Sequence, residues 1–251
     1  MAAAFAVLAY RAATLTGSGA LAAWLVGTLV LHGTGWEGGG VLAAFFVSSS
    51  LVSRGAPPPP GLDPKGDRRD HRQVLANGGV AAAGALLGLR DPQLGVWLLT
   101  SALAAAAADT WATAFGARSA VPPRLILDGR PVPPGTSGGI TLLGSAGGAA
   151  GALLVAATGA LAAGRPALLP VAALVGFGGM LLDSVLGAAA QGRFRCAACA
   201  EGSEWRVHRC GRPTTHEGGL AWLDNDGVNL TAGAGAALVA WAAWVWLCPC
   251  A

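Results

Sequence analysis

Two aspartates in this sequence stand where a carboxylate is hard to accommodate. Asp109 follows an alanine run at 104–108 and opens the segment Asp109-Thr110-Trp111-Ala112-Thr113. Asp183 has apolar residues on both sides, in Gly179-Met180-Leu181-Leu182-Asp183-Ser184-Val185-Leu186. A charged group at the centre of a membrane helix costs roughly 2.5–3.5 kcal/mol on insertion scales and survives where it faces the bundle interior and a neutralising partner. Asp109 reads either as a helix-end residue at the membrane interface or as a ligand in a metal or phosphate site. Asp183 lies about two turns before Gln191 and Arg193, where the polar surface resumes. It has the weaker structural explanation and reads as a cation ligand facing other helices.

Four further groups have chemistry at their spacing. Asp224-Asn225-Asp226-Gly227-Val228-Asn229 opens the last apolar stretch. Asx residues are favoured helix caps, which explains one or two of them. Four in six positions is more than capping needs and suggests oxygen ligands for a hard cation such as Mg²⁺, with Asn225, Asp226 and Asn229 among the candidates. Gly135-Thr136-Ser137-Gly138-Gly139 precedes another apolar stretch. There, converging backbone N–H groups and hydroxyls at a helix start could form an anion nest, a plain turn and cap being the alternative. The polar loop holding Lys65, Arg68, Arg69 and Arg72 offers cations for phosphate oxygens, or else a solvated, orienting charge cluster. Gln73 and Asn77 share one face of the helix that follows it. Finally, Cys196-x-x-Cys199 with His208-x-Cys210 has zinc-ribbon-like spacing. Those four ligands would close a structural Zn²⁺ site; His216 in place of His208, or plain reduced cysteines, are the alternatives.

The elements that must position these groups are membrane helices. Of the 251 residues 53% are hydrophobic and only 12% charged, against about 25% charged in soluble domains, and the mean hydropathy is +0.54. Such numbers exclude a disordered chain, a coiled coil, a disulfide-stapled secreted domain and a basic nucleic-acid binder. Seven stretches approach the length of a span: 17–31, 39–52, 74–89, 94–108, 139–163, 167–190 and 228–247. Residues 1–10 are apolar but too short to cross, and read as an interfacial helix rather than a signal peptide. The predicted fold is all-α, one polytopic transmembrane bundle over 1–251 with a cytoplasmic insertion at 192–223. With the N-terminus in the cytoplasm, 14 of the 16 Lys and Arg residues fall inside and only Arg90 and Arg165 outside, a strong positive-inside signal. Among acidic residues only Glu37 and Asp91 lie outside. Polar groups so concentrated on one face favour catalysis at the cytoplasmic surface of the cell membrane over alternating access. Most of the nine tryptophans lie near helix ends, as in an interfacial belt.

Taken together, Gln73-Val74-Leu75-Ala76-Asn77-Gly78, Asp109-Thr110-Trp111-Ala112-Thr113, Gly135-Thr136-Ser137-Gly138-Gly139-Ile140-Thr141, Asp183-Ser184 and Asn225-x-x-Val228-Asn229 resemble the integral membrane family that contains plant phytyl-phosphate kinase. The match runs from about Leu15 to Leu230. It is more weakly similar to CTP-using phytol and dolichol kinases and to phosphatidate cytidylyltransferases. The resemblance implies Mg²⁺ held by Asp109 and Asp183, and phosphates cradled by 135–139. Two departures stand out: Ala114 occupies a position where an acidic residue is expected, and the glycine-rich segment lacks the lysines of the cytidylyltransferases.

The reading that follows is a CTP-dependent, Mg²⁺-dependent kinase that converts an isoprenoid (phytyl or polyprenyl) monophosphate to the diphosphate. Asp109, Asp183, Asn225 and Asn229 are its expected catalytic residues, with Asp226 a third metal ligand. The expected partners are the lipid phosphate, a nucleoside triphosphate and the bilayer, with no nucleic acid; homo-oligomerisation stays open. The alternatives are a lipid-phosphate cytidylyltransferase and a transporter or flippase of phosphorylated lipids.

Overall fold

The computed structural model describes residues 1–56, 68–203, 205–208 and 210–247. Its helices are α1 (Ala2–Arg11), α2 (Gly17–Ser53), α3 (His71–Leu87), α4 (Pro92–Gly116), α5 (Leu142–Ala162), α6 (Leu168–Ala189) and α7 (Asn225–Leu247). Four of them, α4 to α7, are long and apolar enough to cross a membrane. The short apolar helix expected at the N-terminus is α1, which packs on α2.

Polar residues at the helix starts set the boundaries. Thr16 caps α2, Asp91 caps α4 with Pro92 in the first turn, and Thr141 caps α5, each accepting from backbone N–H groups that the helix leaves unpaired. Asp70 and Gln73 close a reciprocal capping box at the start of α3.

The stretches 17–31 and 39–52 are the two arms of α2, folded back on each other at Gly35 (φ 61°, ψ −148°). Residues eight apart on a straight helix are about 12 Å apart along the axis. Yet a Cβ on Gly39 would lie 2.7 Å from Leu31 Cδ2. The Arg69 guanidinium also reaches both Phe45 and Phe46 while its backbone bonds Thr14 and Thr16. Only glycine adopts that conformation without strain.

Helix α4 is the axis of the bundle: every residue from Gly95 to Ala108 is buried, and α2, α3, α5, α6 and α7 all pack on it. Small side chains make this crowding possible. A Cβ on Gly151 of α5 would come within 2.9 Å of the Ala107 carbonyl oxygen, and one on Gly176 of α6 within 2.7 Å of Ala104 Cβ. With lipid on the outside, close backbone approach rather than water exclusion holds such helices together. Trp97 adds a directed contact, donating from Nε1 to the Ala240 carbonyl of α7 (2.9 Å).

The described parts of the long loops lie at one end of the bundle. There Arg118 reaches the carbonyls of Val52 and Arg54, Arg54 reaches that of Ala12, and Arg72 pairs with Asp224. The all-α expectation needs one correction, because these loops hold short antiparallel strands. β1 (Arg124–Leu125) pairs β2 (Gly139–Ile140), and β3 (Arg193–Cys196) lies between β4 (Gly202–Ser203) and β5 (Thr214–Gly218). Such short, polar segments carry little hydrophobic periodicity, the signal that reveals a strand.

Candidate functional site

Four helices bring Asn77 (α3), Asp109 (α4), Asp183 (α6) and Asn229 (α7) to the wall of one narrow cleft. The remaining lining is alanine and glycine with a single valine, Val80. The small residues that let the helices approach thus also leave the space between the polar ones. The space inside it is small, about 10 Å³, room for about one water-sized particle. Counted in residues from the loop-bearing helix ends, Asn77 and Asp183 lie six in, Asp109 seven and Asn229 four. At 1.5 Å per residue these are depths of about 6–10 Å. The polar groups therefore meet at one level, one to two turns below the surface. Asn77 is oriented by a bond from Nδ2 to the Gln73 carbonyl (2.9 Å).

The other expected site residues divide. Asn225 and Asp226 lie one turn before Asn229 on the same face of α7, outside the cleft lining, with Asp226 buried. Asp224 is the helix cap, accepting from Gly227 N–H (3.0 Å) through Oδ1 and from Arg72 (2.6 Å) through Oδ2. Gln73 is committed to the capping box, its Oε1 accepting from the Asp70 N–H (3.3 Å). Arg69 turns away from the cleft: its guanidinium lies 6.0 and 5.7 Å from the Phe45 and Phe46 rings. Burial lowers its pKa to about 10. Its backbone ties the α1–α2 turn to the start of α3. Arg68 is exposed, and Lys65 lies outside the described residues, as do Cys248 and Cys250.

The segment 135–139 departs most from expectation. The N–H groups of Thr136 and Gly139 are bonded within the loop, to Pro133 and Thr136 carbonyls, and the Thr136 hydroxyl also donates to Pro133. Gly138, at φ 78°, is pressed against α6, where a Cβ would come within 2.6 Å of the Ser184 carbonyl oxygen. None of Gly135, Thr136, Ser137, Gly138 and Gly139 lines the cleft. The glycines serve a turn and a close approach to the end of α6.

A second, wider cleft adjoins the loop-bearing end. Arg72 and Asp224 form its inner side, and Phe194, Trp205, Arg206 and Trp222 stand around it. Sequence reasoning assigned the tryptophans to an interfacial belt and missed this wall. The signal available was a Trp-Arg pair, Trp205-Arg206, inside a loop too polar to lie in lipid.

That loop holds the cysteine cluster. One ligand atom each from Cys196, Cys199, His208 and Cys210 lies within 4.8 Å of the other three. Cys196 Sγ is 3.6 Å from Cys210 Sγ, which is 3.1 Å from His208 Nδ1. Backbone N–H groups of Cys199 and Ala198 donate to the Cys196 sulfur and hold its pKa down, whereas the hydrogen bond with Cys210 and then burial push Cys199 up to about 11. His216 stands outside the cluster, its ring 5.3 Å from that of Phe194.

A model of an integral membrane protein family, DUF92, matches residues 1–237. The chain belongs to that family. The resemblance read from the motifs therefore holds at family level. This DUF92 protein is 30% identical to Protein PGR of Arabidopsis thaliana, over 88% of its own chain and 85% of the relative. It is also 30% identical to the uncharacterized membrane protein MJ0933 of Methanocaldococcus jannaschii, over 73% and 77% of the two chains. No solved structure matches it.

Proposed function

We propose that this DUF92 protein is a membrane-embedded kinase that transfers the terminal phosphoryl group of CTP to an isoprenoid monophosphate at the cytoplasmic face of the cell membrane. The observation that carries the reading is the meeting of Asp109 and Asp183 with Asn77 and Asn229 in one cleft, just below the polar end of an apolar bundle. Two carboxylates and two amides are hard oxygen donors that suit Mg²⁺. In this reading Asp109 and Asp183 hold that ion, which supplies charge neutralisation for the nucleotide phosphates, while Asn77 and Asn229 complete the wall. Arg72, which lines the wider cleft, is the phosphate-facing cation. The wider cleft, with Trp205, Trp222 and Arg206, takes the nucleotide base against flat aromatic faces.

The chemistry asks little of the protein in proton transfer. An alkyl monophosphate has a second pKa of about 6 and is largely dianionic at neutral pH. One of its oxygens forms the new bond to the γ-phosphorus while the bond from that phosphorus to the bridging oxygen breaks, and CDP leaves with the electron pair. Positioning and charge neutralisation are then the main catalytic tasks. The isoprenoid tail stays in the bilayer between helices.

The same reading puts the N-terminus and all the long loops in the cytoplasm and makes seven crossings. Each arm of α2, about 18 residues, and α3, with 17, reach about 26–27 Å, close to the hydrocarbon thickness.

The test uses purified protein in nanodiscs with phytyl monophosphate, Mg²⁺ and CTP labelled in the γ-phosphate. Label should pass to the lipid, and Asp183→Asn should slow transfer by on the order of 10²-fold or more while the protein stays folded. Full activity in that variant removes the metal assignment. Release of pyrophosphate instead of CDP makes the protein a cytidylyltransferase. Lipid phosphate moving across proteoliposomes without nucleotide or Mg²⁺ makes it a transporter.

A further inference from the structure

The lobe from 192 to 223 is poorly equipped to hold its own shape. Its framework is the sheet β4-β3-β5, whose strands are two, four and five residues long. Among its described residues the buried side chains are Phe194, Cys196, Ser203 and His208, of which only Phe194 is large and apolar. Small units with so little core are normally held by disulfides or a metal. No disulfide is formed: Cys196, Cys199 and Cys210 are free thiols.

These facts meet at one place. Cys196 at the end of β3, Cys199 just beyond it, and His208 and Cys210 further along the lobe converge there. Three sulfurs and one imidazole nitrogen within 4.8 Å of one another match the donor set and compactness of a closed tetrahedral zinc site. His208 is set up for that role. Its side chain is almost wholly buried, Nδ1 faces the Cys210 sulfur at 3.1 Å, and Nε2 faces the Glu201 carboxylate at 3.2 Å. A ligating histidine commonly presents its second nitrogen to a carboxylate in this way, which fixes the tautomer and the ring.

We propose that Cys196, Cys199, His208 and Cys210 bind one structural zinc ion, and that this ion orders the lobe carrying Trp205 and Arg206 to the wall of the wider cleft. Both residues lie between the second and third ligands in sequence, inside the loop the metal closes. Their place is held by bonds across the hairpin: Thr214 N–H donates to the Arg206 carbonyl (3.0 Å), and Thr214 Oγ1 to that of Trp205 (2.7 Å). The metal site stands whether or not the cleft binds a nucleotide.

The test needs no substrate or turnover. Full-length protein purified from zinc-supplemented cells is assayed for metal by mass spectrometry of the elements, beside Cys196→Ser and Glu201→Gln. One zinc per chain is expected in the unaltered protein and none in Cys196→Ser. Glu201→Gln, which keeps all four ligands, should bind zinc about 10–100-fold more weakly. Because Cys196→Ser could lose zinc by misfolding, the unaltered protein is also stripped with a chelator and reloaded. Stripping should expose Arg193, Arg195 and Arg206 to trypsin, zinc should restore protection, and cobalt should give the visible absorption of a tetrahedral thiolate site. Zinc content no higher than in Cys196→Ser, trypsin cleavage indifferent to chelation, or a mass two hydrogens low from a cysteine bridge would each overturn the proposal.

Discussion

Replacing Asp109 or Asp183 by its amide should make the cation-free protein more stable, even as it slows the proposed reaction by on the order of 10²-fold or more. The size of the gain follows from where the groups sit. Asp109 and Asp183 lie about 9–10 Å from their helix ends, some two thirds of the way to the midplane of a hydrocarbon layer about 30 Å thick. Scaling the midplane cost of about 2.5–3.5 kcal/mol by that fraction gives roughly 1.5–2.5 kcal/mol for each. The amide keeps part of that cost, and for a chain of this length 1 kcal/mol corresponds to about 2–4 °C, so Asp109→Asn or Asp183→Asn should raise the melting temperature by up to about 10 °C in EDTA. Magnesium should reverse the order. An ion at 100 times its Kd adds about 2.7 kcal/mol, so the unaltered protein should gain about 5–11 °C with Mg²⁺ and the variants little. The assay is thermal unfolding in nanodiscs, followed by the fluorescence of the nine tryptophans. Amide variants that melt below the unaltered protein in EDTA, with no response to Mg²⁺ in either, would show that the carboxylates are ordinary structural residues.

Three further outcomes are expected. Gly176→Ala should cost about 1–3 kcal/mol, because its Cβ would lie 2.7 Å from Ala104 Cβ, whereas Gly178→Ala on the same helix meets nothing within 4 Å and should leave the melting temperature unchanged. Gln73→Glu should preserve activity, since glutamate also closes a capping box, and Asp70→Ala should cost about 0.5–2 kcal/mol; a severe loss of nucleotide affinity in Gln73→Glu alone would put Gln73 back at the phosphates. A double-mutant cycle of Arg72→Ala and Asp224→Ala should give a coupling of only about 0.2–1 kcal/mol in stability, because the pair is partly exposed. Arg72→Ala alone should still raise the KM for CTP, and an unchanged KM would remove Arg72 from the phosphate site.

Much of the site was legible because burying charge in lipid is costly, and that cost marks Asp109 and Asp183 in any linear reading. Asn77 was singled out by its helical spacing from Gln73, Asn229 by the density of Asx residues at 224–229, and the cysteine cluster by its ligand intervals. Other candidates have the right side chains or backbone for phosphate but also hold local structure: Gln73 Oε1 in a cap, the Arg69 guanidinium near two phenylalanines, the Thr136 and Gly139 N–H groups within their own turn. A string of letters records what a residue can bond but not what has already bonded it.

From composition and charge placement alone came a polytopic helical membrane protein with its polar groups gathered at one end. Those properties depend on transfer free energies that each segment carries by itself. Tertiary structure decided the reversal of α2 at Gly35, the burial of α4 as the axis of the bundle, and the common depth of four polar residues. It also chose His208 over His216 for the sulfur cluster and set Trp205 beside Arg72 across a cleft. Each of these depends on distances between segments far apart in the chain, which close packing of small residues determines and hydropathy does not encode.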